Sequence, residues 1–199
     1  MTQVCGNSKI AGCSFSVHPM CNDFQDMIMT SLQQTDTSKV WMKTDHVTTT
    51  VRGRLEHVFD VAKAVFHHTA VTGVHAAFQG TFSIGCPGDS TGDVYLDETS
   101  NVMNRNTAAV KQAVAAKFSL YPLGGGKYME TIYEKIERMR EQGISVTPDH
   151  YSTRLEGDIH DIFHGLENVF KETEAGGSSH TVMTVSISAN SPSKKEEEE

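Results

Sequence analysis

The chain contains 199 residues, of which 38% are hydrophobic and 21% are charged, and its formal net charge is −8. This composition is typical of globular proteins, excludes collagen-like, mucin-like and wholly disordered chains, and disfavours binding to nucleic-acid phosphates. No apolar run approaches the roughly 20 residues that cross a bilayer and no secretory signal is visible, so we expect a cytoplasmic protein without membrane insertion and with reduced cysteines.

The spacing of apolar residues predicts six elements in the first half of the chain. In chain order they are a strand at 11–17, a helix at 23–34, a strand at 40–43, a strand at 47–52, a helix from Leu55 to Phe66 and a strand at 76–84. A tight turn around Thr44 and Asp45 separates the two middle strands. This βαββαβ order is that of the ferredoxin-like fold, in which an antiparallel sheet carries two helices on one face.

The second half of the chain repeats the first at an offset of 103 to 105 residues. Residues 15–20 return at 118–123, and residues 45–66 return at 149–170. Over three such blocks 13 of 41 positions are identical, against about three expected by chance at ordinary residue frequencies. The same six elements are predicted there, with strands at 116–121, 144–147, 151–156 and 181–189 and helices at 128–141 and 159–170. The turn between the middle strands is predicted at Pro148 and Asp149.

The duplication sets the predicted domain boundaries. The first ferredoxin-like repeat spans 8–88, a linker spans 89–111, the second repeat spans 112–193, and an acidic disordered tail spans 194–199. Two copies are too few for a solenoid, so we expect a pseudo-symmetric pair of antiparallel α+β units.

A threonine occupies the same core-facing position in both repeats, at Thr49 and Thr153. A single core threonine most often bonds a nearby backbone carbonyl. Recurrence of the polar residue among changed neighbours favours a second interpretation, a polar anchor inside an apolar pocket, one per repeat. Val17 and Leu120, on the adjoining central strand, are the predicted walls of these two pockets.

The volume beside each threonine is predicted to differ. Val47 precedes Thr49 by two residues, whereas the bulkier Tyr151 precedes Thr153. The next core-facing neighbours also differ, with Val51 beside Thr49 and Leu155 beside Thr153. Tyr151 is expected to fill space that Val47 leaves open, so the first repeat is predicted to hold the tighter site.

The opposite face of each predicted sheet is rich in serine and threonine, where lysine and glutamate are usual. Its hydroxyl residues are Ser14, Ser16, Thr48, Thr50, Thr81, Ser83, Ser119, Ser152, Thr184, Ser186 and Ser188. Short side chains suit close approach of two sheets, so we expect this face to be covered by the other repeat or by a second subunit. Ser16 and Ser119 are secondary candidates for ligand contact, because they point away from the threonine pockets.

The sequence contains no recognisable catalytic set. His160 and His164 have a metal-compatible i, i+4 spacing, but no third ligand is evident. No Ser-His-Asp or Cys-His signature is present. We therefore predict a protein that is not an enzyme and that needs neither metal nor cofactor, with a metal-dependent enzyme using the two histidines as an alternative.

Several motifs resemble the YkoF family, which comprises thiamine- and hydroxymethylpyrimidine (HMP)-binding proteins. They are the repeated Phe-Ser blocks, Thr-Asp-Thr-Ser-Lys-Val-Trp at 35–41, Ser-Ile-Gly-Cys-Pro-Gly-Asp at 83–89 and the closing residues 188–193. The resemblance extends from about Cys5 to Ser193. It implies a homodimer of tandem ferredoxin-like chains, one thiamine or HMP site per repeat, and a role beside a thiamine-precursor transporter. The competing hypothesis is a structural or regulatory dimer without a small ligand, since this fold hosts many functions.

Overall fold

The computed structural model describes residues 10–85, 95, 98–123 and 129–193. The predicted acidic tail and part of the predicted linker lie outside the described residues. The first repeat consists of β1 (Ala11–Pro19), α1 (Phe24–Gln34), β2 (Val40–Thr44), β3 (Thr49–Gly53), α2 (Leu55–Ala70) and β4 (Ala76–Ile84). The second consists of β5 (Ala113–Leu123), α3 (Met129–Glu141), β6 (Ser145–Asp149), β7 (Ser152–Asp158), α4 (Ile159–Ala175) and β8 (His180–Ala189). The tandem ferredoxin-like α+β fold is confirmed.

The turns between the middle strands differ from the prediction. In the first repeat, the backbone N–H groups of Val47 and Thr48 donate to Asp45 Oδ1 at 2.7 and 3.0 Å, so the turn extends further and β3 begins only at Thr49. In the second repeat, Pro148 and Asp149 belong to β6, and Tyr151 turns the chain with φ of 63°. The predicted strand starts at Val47 and Tyr151 are therefore wrong, because both residues belong to turns.

The eight strands form one continuous antiparallel sheet in the order β2-β3-β1-β4-β8-β5-β7-β6. The repeats join edge to edge, where β4 pairs with β8 along its whole length. Equivalent histidines flank this seam: His75 Nε2 lies 3.1 Å from Ser188 Oγ, and His180 Nε2 lies 2.9 Å from Ser83 Oγ. The seam therefore has approximate two-fold symmetry.

The edge-to-edge joining of the repeats tests the prediction that one repeat covers the hydroxyl-rich face of the other. Since the repeats lie side by side in one sheet, their hydroxyl-rich faces lie on the same side, opposite the helices. The expectation that one repeat covers the face of the other is wrong. Thr81, Thr184 and Ser186 are exposed in the single chain, and coverage by a second subunit remains a prediction.

The two repeats share one hydrophobic core, centred on α2 and α4. The Phe59 ring of α2 stacks on Phe82 at 4.1 Å between centroids and lies 6.0 Å from Phe170 of α4. Phe78 of β4 meets Phe163 of α4 at 5.9 Å. Aromatic contacts thus cross the boundary between the repeats, and we expect the chain to unfold as a unit.

The outer helix α1 covers the sheet less completely than α2. It packs mainly against α2 and β1, and its fully buried residue is the small Ser31. Phe24 at its start is 53% exposed, while Met27 and Ile28 are only half-buried. Part of the helix-facing surface of the sheet therefore lies under a loosely packed helix.

The segment between the repeats is anchored to α2. Asp60 Oδ2 accepts hydrogen bonds from the backbone N–H groups of Met103 and Asn104 at 3.2 and 3.0 Å, and from Asn104 Nδ2 at 2.8 Å. His67 Nε2 and His160 Nε2 both lie within hydrogen-bond distance of the Val110 carbonyl, at 2.8 and 3.1 Å. No helix among the described residues is long and apolar enough to span a membrane.

Candidate functional site

Thr49 lies on the helix-facing side of the sheet, at the first residue of β3. It pairs with Phe15 of β1 on one side and with Thr44 of β2 on the other. Its side chain is buried, with 8% of the residue exposed, and its Oγ1 lies 2.9 Å from Thr44 Oγ1. The Thr49 hydroxyl is thus buried on the core-facing side of the sheet and has a polar partner in Thr44.

Thr153 occupies the equivalent register in the second repeat. It pairs with Phe118 of β5 and with Pro148 of β6, and it is half-buried. Proline has no side-chain hydroxyl, so the cross-strand pair seen at Thr49 has no counterpart at this position. The two threonines share a place in the fold but not a polar partner.

Val17 and Leu120 follow Phe15 and Phe118 by two residues on the same face of the central strands. Val17 is buried, with 8% exposed, whereas Leu120 is half-buried against the core. In each repeat the structure therefore brings a threonine and an aliphatic residue to neighbouring positions on one face, near the end of the sheet where α1 or α3 follows.

The structure places Ser16 and Ser119 on the opposite face. Ser16 Oγ lies 2.8 Å from His18 Nε2, and Ser119 Oγ donates to the Tyr151 carbonyl at 2.7 Å. Neither serine can share a pocket with the threonine of its own repeat, because the sheet lies between them.

The predicted difference in pocket volume is wrong for Val47 and Tyr151, whereas Val51 and Leu155 are both buried in the core. Val47 is 77% exposed and Tyr151 is 99% exposed, since both lie in turns rather than in core-facing strand positions. Any difference between the two candidate sites must come from other residues. The opposed pairs Thr44–Thr49 and Pro148–Thr153 supply one. The sequence pattern does not indicate it, because it places Thr44 in the turn.

A cleft between α2 and α4 was also not anticipated from the sequence. It comprises two cavities of about 560 and 240 Å³ that share Glu56 and Glu167. Burial and the nearby Glu56 carboxylate raise the pKa of Glu167 to about 7. These acidic residues come from equivalent helices of the two repeats, so only the edge-to-edge joining brings them together.

The two histidines with metal-compatible spacing line the smaller cavity. His160 Nε2 contacts the Val110 carbonyl, and His164 Nε2 lies 3.0 Å from the Asn168 side-chain amide. Within the described ranges, no group of three or more His, Cys, Asp or Glu residues is arranged to hold a metal ion.

The fold is that of a tandem ferredoxin-like protein, with a threonine at the same core-facing register of each repeat. The chain belongs to the YKOF-related family, whose model matches residues 10–89 and 113–194, so the predicted family is confirmed. Over 196 residues it is 46% identical to the "Putative HMP/thiamine-binding protein YkoF" of Bacillus subtilis (strain 168), with 98% of each chain covered.

Two similar solved structures each cover part of the chain. A domain of unknown function, DUF77, from Bacillus cereus is 19% identical and covers 39% of this chain and 75% of its own, with a TM-score of 0.33. A hypothetical protein from Methanocaldococcus jannascii is 25% identical and covers 44% of this chain and 86% of its own, with a TM-score of 0.30.

Proposed function

We propose that this protein binds thiamine or HMP without transforming it, with one site in each repeat, and that it serves uptake or salvage of thiamine precursors in the cytoplasm beside a precursor transporter. The observation that carries the proposal is the recurrence of a threonine at one core-facing register, Thr49 and Thr153. It occurs in a chain that is 46% identical to a relative named for HMP and thiamine.

The residues around each threonine suit an aromatic ligand with a few polar atoms. Val17 and Leu120 supply aliphatic surface, and the threonine hydroxyl supplies one donor and two acceptor positions. A pyrimidine ring gains from apolar burial, while its nitrogen atoms need a small number of well-placed polar partners. The net charge of −8 also favours approach of the positively charged thiazolium of thiamine.

Exposed apolar residues lie at the same end of the sheet as the candidate pocket of the first repeat. Met20 and Phe24, which follow β1, are 59% and 53% exposed, and Val47 occupies the adjoining turn. Exposed apolar surface around a partly covered sheet is typical of a binding entrance. We therefore assign the entrance of this pocket to the end of β1 and the start of α1.

The homodimer implied by the family remains part of the proposal. The outer face of the eight-stranded sheet carries short side chains, among them Thr81, Thr184 and Ser186, all exposed in the single chain. Short hydroxyl residues allow two sheets to approach closely and to bond across the interface. The second copy is therefore proposed to lie on this face, away from the helices and the threonine pockets.

Calorimetric titration with thiamine and with HMP tests the proposal. We expect a dissociation constant in roughly the micromolar range, about −8 kcal/mol. At about 100 times that concentration, one site should add about 2.7 kcal/mol to the free energy of unfolding, a melting shift of roughly 5–10 °C for a chain of this size. Absence of both heat and melting shift with either compound would overturn the proposal in favour of a structural or regulatory dimer.

A further inference from the structure

We infer that Thr44 is a second polar residue of the first-repeat site, and that its replacement by Pro148 is what makes the two sites unequal. This inference rests on the proposed function, because it concerns the same two pockets. It assigns the difference to hydroxyl chemistry rather than to the volumes of Val47 and Tyr151, which both lie in turns.

The first observation is the hydroxyl pair at the end of the β2–β3 hairpin. Thr44 and Thr49 are opposed across the two strands, with their Oγ1 atoms 2.9 Å apart, and either hydroxyl can be the donor. Thr49 is buried whereas Thr44 is exposed. The pair therefore connects a hydroxyl inside the apolar layer to one at its rim.

The pair allows the buried hydroxyl to adapt. When Thr49 donates to Thr44, its free lone pairs can accept a hydrogen bond from the amino group of an aminopyrimidine. When Thr44 donates instead, the Thr49 proton is free for a ring nitrogen. In both states the Thr49 hydroxyl keeps a protein partner while it contacts the ligand, so less hydrogen bonding is lost when water leaves the pocket.

The second repeat cannot provide this adaptation. Pro148 stands opposite Thr153, at the register that Thr44 occupies in the first repeat, and its ring contains no donor or acceptor on the side chain. Thr153 therefore has no cross-strand hydroxyl to keep as a partner when a ligand replaces solvent. We therefore expect the first repeat to hold the tighter site.

Calorimetric titration of thiamine into single variants tests the inference. Thr49→Val and Thr153→Val first assign each binding step to its repeat. Thr44→Val should then weaken the first-repeat step by about three- to tenfold and leave the other step unchanged, the usual net effect of one hydrogen bond. Thr44→Ser should restore it, since serine retains the hydroxyl. Pro148→Thr should tighten the second-repeat step by a similar factor.

Thr50→Val is the matched control, because Thr50 lies on β3 next to Thr49 but pairs with Ser14 on the opposite face. It should leave both steps unchanged. If the parent protein binds in two steps and neither Thr44→Val nor Pro148→Thr alters its own step, the inference is overturned while the proposed function stands. Equal weakening of both steps by Thr44→Val would also overturn it, because the effect would then come from the fold. A parent that binds neither thiamine nor HMP would instead overturn the proposed function.

Discussion

Replacement of Thr49 by valine isolates the buried hydroxyl from every other property of the candidate site. Valine has nearly the same shape and strand preference as threonine, so the side chain can occupy the same space beside Phe15. The variant loses the 2.9 Å contact with Thr44, but Thr44 is exposed and can bond water instead. We therefore expect the free energy of unfolding to fall by no more than about 1 kcal/mol.

The effect on binding should be larger. In the variant, a polar atom of the ligand would be buried against a methyl group, which costs about 1–3 kcal/mol. This corresponds to a roughly 5- to 150-fold increase in the dissociation constant of one step. Calorimetric titration measures it directly, with Thr153→Val as the counterpart that should affect only the other step. If Thr49→Val and Thr153→Val both titrate like the parent protein, the threonines are structural and the pocket lies elsewhere.

Other predictions concern the shared core, pH and assembly. Phe170→Ala should cost about 3–5 kcal/mol and keep a single unfolding transition in urea, because Phe170 contacts Phe59 of the other repeat; two separate transitions would contradict the shared core. The raised pKa of Glu167 means that its stabilising contribution is complete below about pH 4.5 and is lost as the pH rises through about 7. Glu167→Gln should remove that loss in urea titrations between pH 5 and 8, and an unchanged pH slope would refute it. Burial lowers the pKa of His67, so the contribution of His67 to stability should fall as the pH drops below about 6.5. This change is opposite in direction to that of Glu167, and His67→Asn should reduce it. Thr184→Arg should convert the proposed dimer to a monomer of unchanged circular dichroism in sedimentation, whereas a parent already monomeric at micromolar concentration would refute coverage of the outer face.

The order of strands and helices could be predicted from the sequence, because apolar residues alternate along the strands and follow helical spacing along the helices. The alternation of apolar residues at 11–17 and their helical spacing from Leu55 onward show which side chains face the core, because local backbone geometry decides which residues share a face. The residues at which the turns begin and end could not be predicted as accurately. The Asp45 side chain closes one turn through hydrogen bonds to Val47 and Thr48, and Tyr151 adopts a positive φ in the other.

The edge-to-edge joining of the repeats could not be read from the sequence for a different reason. Alternation in β4 and β8 shows which residues face the core, but it does not say which free edge each strand pairs with. Several consequences depend on that one pairing: the open hydroxyl-rich face, the contact between Phe59 and Phe170, and the meeting of Glu56 with Glu167. The Thr44–Thr49 pair could not be predicted either, although the two residues are close in sequence, because the pairing depends on the residue at which each strand of the hairpin ends.

The strand order also explains why the two candidate sites should act separately. Thr49 lies on β3 and Thr153 on β7, each next to an outer strand of the sheet. Four strands lie between them, so at about 4.8 Å per strand the threonines are roughly 24 Å apart. Two small ligands at that separation cannot touch, and substitutions so far apart usually have additive effects on free energy. A difference in affinity between the two binding steps should therefore arise from the residues around each threonine. The polar difference at these positions is that Thr44 lies opposite Thr49, whereas Pro148 lies opposite Thr153.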